Sequence, residues 1–213
     1  MALAFDKTNF YDTGMTVSGF SLTQSCTLGF WVKRASTDVR SPIGNNPQGA
    51  GGSDSDVFTF FYVSGPWTRL NTANTEATIN SGTWGTGWTH LLTTYNGSKY
   101  RLFINGAYQT EVNASGDMKS DGTRSWWIGR RGSHAGGGSA PWNWHGDIAE
   151  FAIWSAVLTD GEINSLGKGF SANRVRPQSL LTNSPLVRTL ADVRGKSTAS
   201  GTVTAASHPA IYA

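Results

Sequence analysis

The sequence predicts an all-β chain, two antiparallel sheets packed as a sandwich, with one short late helix. Three observations carry this. Asn-Gly stands at Asn96-Gly97 and again at Asn105-Gly106, each time between alternating apolar runs. Both residues tolerate positive φ, so each pair closes a tight hairpin, and together they make a three-stranded meander over 90–112. The run Asp147 to Trp154 is apolar on both faces, which predicts a central strand covered on both sides. Thr159 followed by Glu162 is a capping box that starts a short helix.

The other elements follow in order. Cys26 to Arg34 alternates at period two and places Leu28, Phe30 and Val32 on one core face. Residues 44–56 carry no apolar anchor and read as a long loop. Val57 to Val63 is rich in strand formers. Ser125 to Arg131 is a strand that runs into the glycine loop 132–145, which ends in Trp142, Trp144 and His145. Ile163 and Leu166 give the late helix an inward face, and Gly167 or Gly169 ends it. Beyond Phe170 the pattern weakens. Arg176-Pro177 begins a last extended segment through Leu181. The domain reading is a sandwich over 1–169 and a C-terminal extension over 170–213, packed on the sandwich or on a neighbouring subunit.

Composition narrows the function classes. The chain has 213 residues, nine of them Trp, and only 15% of them charged. A net charge of +3 is too small to argue for nucleic acid. No run approaches the roughly 18 apolar residues of a membrane helix. The N-terminus lacks a basic segment followed by a long apolar run, so no signal peptide is expected. Cys26 is the sole cysteine and is expected to be a small buried hydrophobe in a protein made in a reducing cytoplasm.

Candidate sites are few. Trp142, Trp144 and His145 could stack on sugar rings beside a flexible loop; alternatively the Trp residues plug one open end of the sandwich. Asp54 and Asp56 have an Asp-x-Asp spacing that could ligate calcium or contact a glycan. Trp126, Trp127, Arg130 and Arg131 read as core Trp with edge Arg. The basic residues Arg174, Arg176, Arg188, Arg194 and Lys196 could dock an acidic partner surface. The histidines are scattered, with no zinc spacing. No Gly-x-Ser-x-Gly elbow is present.

Five segments in order resemble the concanavalin A-like, laminin-G-like jelly-roll family. They are Thr27 to Lys33, Trp88 to Leu91 with Tyr95-Asn96-Gly97, Leu102 to Gly106, Trp127 to Gly129, and Gly146 to Ile163. The resemblance implies a jelly-roll sandwich. The family's glucanase branch carries Glu-x-Asp-x-x-Glu on one strand. Glu76, Glu111, Glu150 and Glu162 are the only Glu here and make no such pattern, so no enzyme is expected. Related modules often carry Asp where Ala149 stands, so calcium is unsupported and no cofactor is expected.

The continuation Gly169-Phe170 and Val175 to Leu180 is similar to the version of the module in bacteriophage structural genes. It implies a non-enzymatic virion protein, first a head decoration (cement) protein on the outer capsid surface. Its partners would be the major capsid protein and copies of itself, gripped by the basic residues named above. The alternative is a carbohydrate-binding adhesin module of a phage fibre or tail that recognises host polysaccharide.

Overall fold

Fourteen strands and one helix make up a computed structural model that describes residues 2–45, 58–62, 65–83, 85–119, 125–131, 143–186, 194–195 and 204–212. The strands are β1 (Ala2–Asp6), β2 (Tyr11–Thr16), β3 (Cys26–Arg34), β4 (Ile43–Gly44), β5 (Phe58–Tyr62), β6 (Pro66–Asn71) and β7 (Glu76–Asn80). They continue as β8 (Thr89–Tyr95), β9 (Lys99–Ile104), β10 (Ala107–Asn113), β11 (Ser125–Ile128) and β12 (His145–Trp154). The helix α1 (Asp160–Gly167) precedes β13 (Leu180–Ser184) and β14 (Thr204–Ala206).

Two antiparallel sheets form the expected sandwich. One has the order β10-β9-β8-β3-β12-β1-β14, with β13 also paired to β12; the other runs β2-β11-β4-β5-β6-β7. The meander is β8-β9-β10, and Asn105 and Gly106 both take positive φ at its second turn, +50° and +78°. Between the sheets pack Leu3, Leu28, Phe30, Leu91, Leu102 and Ile153 from the larger and Met15, Ile43, Phe60, Leu70, Ile79 and Trp126 from the smaller. Phe30 meets Phe60 edge to face across the layer at 4.9 Å.

Strand β12 lies between β3 on one side and both β1 and β13 on the other. Strict alternation would send Glu150 inward with Ile148. Instead the register with β3 shifts between Ala149 and Ala152, and Glu150 takes φ +53°. This bulge resets the phase. Ile148, Phe151 and Ile153 face the inter-sheet core. Ala149, Ala152 and Trp154 belong to two separate clusters on the opposite side.

That opposite side is covered by the chain's later part. Helix α1 sets Ile163 and Leu166 on Leu92, Phe103 and Trp154. The Trp154 indole N–H donates to the Val175 carbonyl at 2.9 Å. Further along, Trp88, Ala206 and Ile211 pack on Ala2, Trp31 and Ala149. The described residues beyond 170 are therefore woven into the larger sheet, through β13 on β12 and β14 on β1.

The capping box is present in both directions. The Thr159 side chain accepts from the Glu162 N–H, and the Glu162 carboxylate accepts from the Thr159 N–H at 2.7 Å. Burial raises the Glu162 carboxyl, but the bonds from Thr159 and Arg176 outweigh it and hold it below the usual range. Gly169, at φ +92°, turns the chain just past the helix as expected.

The terminal strands β1 and β14, and β2, β4, β6 and β7, add to the elements expected from sequence. Cys26 is buried, and desolvation pushes its thiol up to about 12, which fits the expected inert role.

His90 of β8 is 3% exposed and stacks 5.1 Å from Trp31. Burial pulls its pKa down from 6.5 to about 3. The fold therefore holds it neutral. Below about pH 6.5 the unfolded chain takes up a proton that the folded chain refuses. The contribution is full above that pH and is lost as pH falls towards 3, by up to about 1.4 kcal/mol per pH unit. Urea unfolding at pH 7 and pH 5 should show the native protein losing stability and His90→Gln losing markedly less. Equal losses in both proteins would disprove the assignment.

Candidate functional site

The chain reverses at Gly129, whose φ is +86° and where an added Cβ would lie 2.4 Å from the Phe5 ring. Its N–H donates to the Pro42 carbonyl and its carbonyl accepts from the Trp144 N–H, both at 2.7 Å. The reversal carries Arg130 back over its own strand. In β11, Trp126 and Ile128 point into the core, so Trp127 must point out. Phe10, just before β2, lies beside it at 5.8 Å. The Arg130 guanidinium sits in the V between the two rings, 4.1 Å from Phe10 and 5.0 Å from Trp127.

Arg130 is only 8% exposed, and its Nε is buried without a hydrogen-bond partner. Burial lowers its pKa. No ion pair among the described residues reaches it. Asp12 lies opposite Trp127 in the register and accepts from the Gly14 N–H at 2.9 Å.

The same face of the smaller sheet continues through register partners. Trp127 faces Gly44, Gly44 faces Thr59, Thr59 faces Arg69 and Arg69 faces Thr78. Gly44 is needed there because a Cβ would fall 2.1 Å from the Arg131 carbonyl. At the far side Arg69 lies over the Trp67 ring at 4.8 Å. Thr59 is fully buried, so this face is covered at its middle, and Trp127 and Trp67 are half-buried at its two flanks.

A different aromatic pair lies beside α1. Phe170 and Tyr212 are 46% and 62% exposed with centroids 6.3 Å apart. Tyr212 N–H to the Gly169 carbonyl, 2.6 Å, and Ser171 N–H to the Tyr212 carbonyl, 3.2 Å, fix their backbones together.

The residues expected from sequence fare unevenly. Asp54, Asp56, Trp142, Arg188 and Lys196 lie outside the described residues. Trp144 is 1% exposed and belongs to the inter-sheet core, so its indole offers no face to a sugar. His145 is half-buried at the start of β12, opposite Asp6.

Arg176 is held internally. Its Nε and Nη2 donate to Glu162 at 2.9 and 2.6 Å, and its Nη1 donates to the Val157 carbonyl at 2.9 Å. With its guanidinium engaged along both edges it pins the turn to α1 and is not available to grip a capsid. Arg174 is exposed, and Arg194 is exposed with a donation to the Pro177 carbonyl at 3.4 Å.

The sequence reading passed over Phe10, Trp67 and Arg69, and it expected Trp127 in the core and Arg130 at an edge, where the structure turns Trp127 outward and buries Arg130 against it. A usable signal existed, because two adjacent Trp on one strand must face opposite ways. That rule singles out one of Trp126 and Trp127 for the surface, but not which one.

Among the described residues no group of three or more His, Cys, Asp or Glu is gathered that could hold a metal.

Residues 7–164 match the concanavalin A-like lectin/glucanases superfamily, and the chain belongs to that family. No curated protein matches the sequence. Among solved structures the chain is similar to the CBM40 of the Ruminococcus gnavus IT-sialidase bound to α2,3-sialyllactose. That similarity has a TM-score of 0.63 at 16% identity, over 78% of this chain and 95% of that one. A putative carbohydrate binding protein from Bacteroides ovatus gives a TM-score of 0.68 at 16% identity, over 95% of this chain and 58% of that one. A heptameric SAP-like pentraxin from Limulus polyphemus gives 0.55 at 14% identity, over 78% and 81%. These likenesses establish the jelly-roll sandwich.

The core role of Trp144 has a direct consequence. Trp144→Ala should lower the unfolding free energy by about 3–5 kcal/mol, the usual cost of truncating a buried Trp. Thermal or urea unfolding measures it. A variant as stable as the parent would return Trp144 to the list of candidate contact residues.

Proposed function

We propose that this chain is a non-catalytic carbohydrate-binding module whose site is centred on Trp127. The observation that carries the reading is the outward, half-buried indole of Trp127, flanked by Phe10 and Arg130 on the outer face of the smaller sheet. An apolar ring face with polar groups at its edge suits the apolar faces and hydroxyl rims of sugars. Two structural neighbours described as carbohydrate-binding support the same class. Three glutamates away from Trp127 are engaged within the fold. Glu162 holds Thr159 and Arg176, Glu111 holds Lys99 and Arg101, and Glu150 faces His208 at 3.5 Å. This supports binding without hydrolysis.

In a phage setting the module would act as an adhesin on a fibre or tail. The cement role rests on the resemblance of the segment around 169–180, and the internal pairing of Arg176 weakens it.

A glycan array probed with the whole chain, with and without calcium, tests the reading. Binding is expected in both conditions. Trp127→Ala should weaken it by about tenfold or more in protein that circular dichroism shows to be folded, with some loss of stability because the half-buried indole also packs on Phe10 and Arg130. Absence of binding to every glycan class would refute the proposal.

A further inference from the structure

The guanidinium of Arg130 is an unusual charge to leave as it stands. It is 8% exposed, its Nε has no acceptor, and no described residue accepts a hydrogen bond from any of its N–H groups. No carboxylate among the described residues lies within 4.0 Å of it. A desolvated cation normally acquires an anionic partner, since leaving it unpaired is costly. Here the stabilisation comes from two ring faces, Phe10 at 4.1 Å and Trp127 at 5.0 Å. Ring quadrupoles attract the charge but accept none of its in-plane hydrogen bonds.

We infer that Arg130 is a carboxylate-recognition residue, and that the sugar bound on Trp127 is an acidic one. The inference rests on the carbohydrate-binding reading above. Several features favour a carboxylate over a neutral hydroxyl. The guanidinium fork matches a planar carboxylate through two parallel N–H···O bonds. With Nε buried, the terminal nitrogens are the donors a ligand can meet. Both rings hold the fork in place beforehand, so little side-chain entropy is lost on binding. Asp12 sits on the same face, opposite Trp127, and would disfavour an anion placed beyond the indole. The acidic group is thereby directed to the Arg130 side. Sialic and uronic acids both present such a carboxylate beside an apolar ring face.

Isothermal titration of the whole chain provides the test, using α2,3-sialyllactose against lactose, and a galacturonic acid trimer against the corresponding neutral galactose trimer. At least one acidic sugar should bind more tightly than its neutral counterpart by tenfold or more, the size of a charge-assisted hydrogen bond lost. Whichever acidic sugar it is identifies the source of the carboxylate. Arg130→Ala should bring its affinity down to that of the neutral partner. Arg130→Lys, which keeps the charge and loses the fork, should fall in between. The ligand comparison uses the native chain alone, so it stands even if a variant fails to fold.

Equal binding of acidic and neutral sugars, or full acidic-sugar affinity in a folded Arg130→Ala, overturns the inference. If neutral sugars bind and Trp127→Ala abolishes that binding, carbohydrate recognition survives and the carboxylate role does not. If none of these sugars binds, the acidic-sugar inference falls, and the glycan array decides the carbohydrate-binding reading separately.

Discussion

Strand β12 must be covered on two faces by different parts of the chain, and most of the architecture answers that requirement. It pairs along both edges, so its backbone is satisfied, and it carries large apolar side chains up and down. One face is closed by the smaller sheet. The other is closed by α1 and by the segment that ends at Tyr212. The bulge at Glu150 makes this arrangement compatible with the sequence. Without it a carboxylate would enter the core and Phe151 would leave it.

The same constraint explains where function can reside. The outer side of the larger sheet is occupied by α1 and by side chains of the chain's later segments, among them Ala172, Val175 and Ile211. The outer side of the smaller sheet has no helix among the described residues, and there the Trp127–Phe10–Arg130 stack stands. Its geometry depends on backbone detail. Gly129 turns Arg130 back over the strand, and Gly44 lets the Arg131 carbonyl approach where any side chain would collide. The stack is thus built from residues of β2's approach, β11 and the turn that follows, with Trp126 and Phe151 packed beneath the strand.

The basic residues after 170 show how charge in a sequence can mislead. Counted along the chain, Arg174, Arg176 and Arg194 suggest a docking surface. In the fold, Arg176 completes the start of a helix by bridging Glu162 and the Val157 carbonyl. A cation near a capping-box Glu is more valuable to the fold than to a partner, because both groups are partly shielded from water and bound in bidentate form.

Local chemistry made much of the fold legible in advance. Asn-Gly turns, strict alternation in β3 and the Thr159–Glu162 box each act within a few residues, so the sequence by itself determined the meander, the central strand and the late helix. Membership of the sandwich family was legible in the same way, from the order of those pieces. Strands β1, β2, β6, β7 and β14 escaped notice because their stability comes from partners distant in the chain, and short or polar segments carry little pattern of their own. Only tertiary structure decided that Trp144 is core and Trp127 is surface. The facing of Trp127 follows from the register of β11, set by its pairing with β2 and β4, and Trp144 is placed by backbone bonds to Gly129 and Lys7, not by the identity of a tryptophan. The placement of Arg130 between two rings from separate segments was likewise fixed only when the sheets closed.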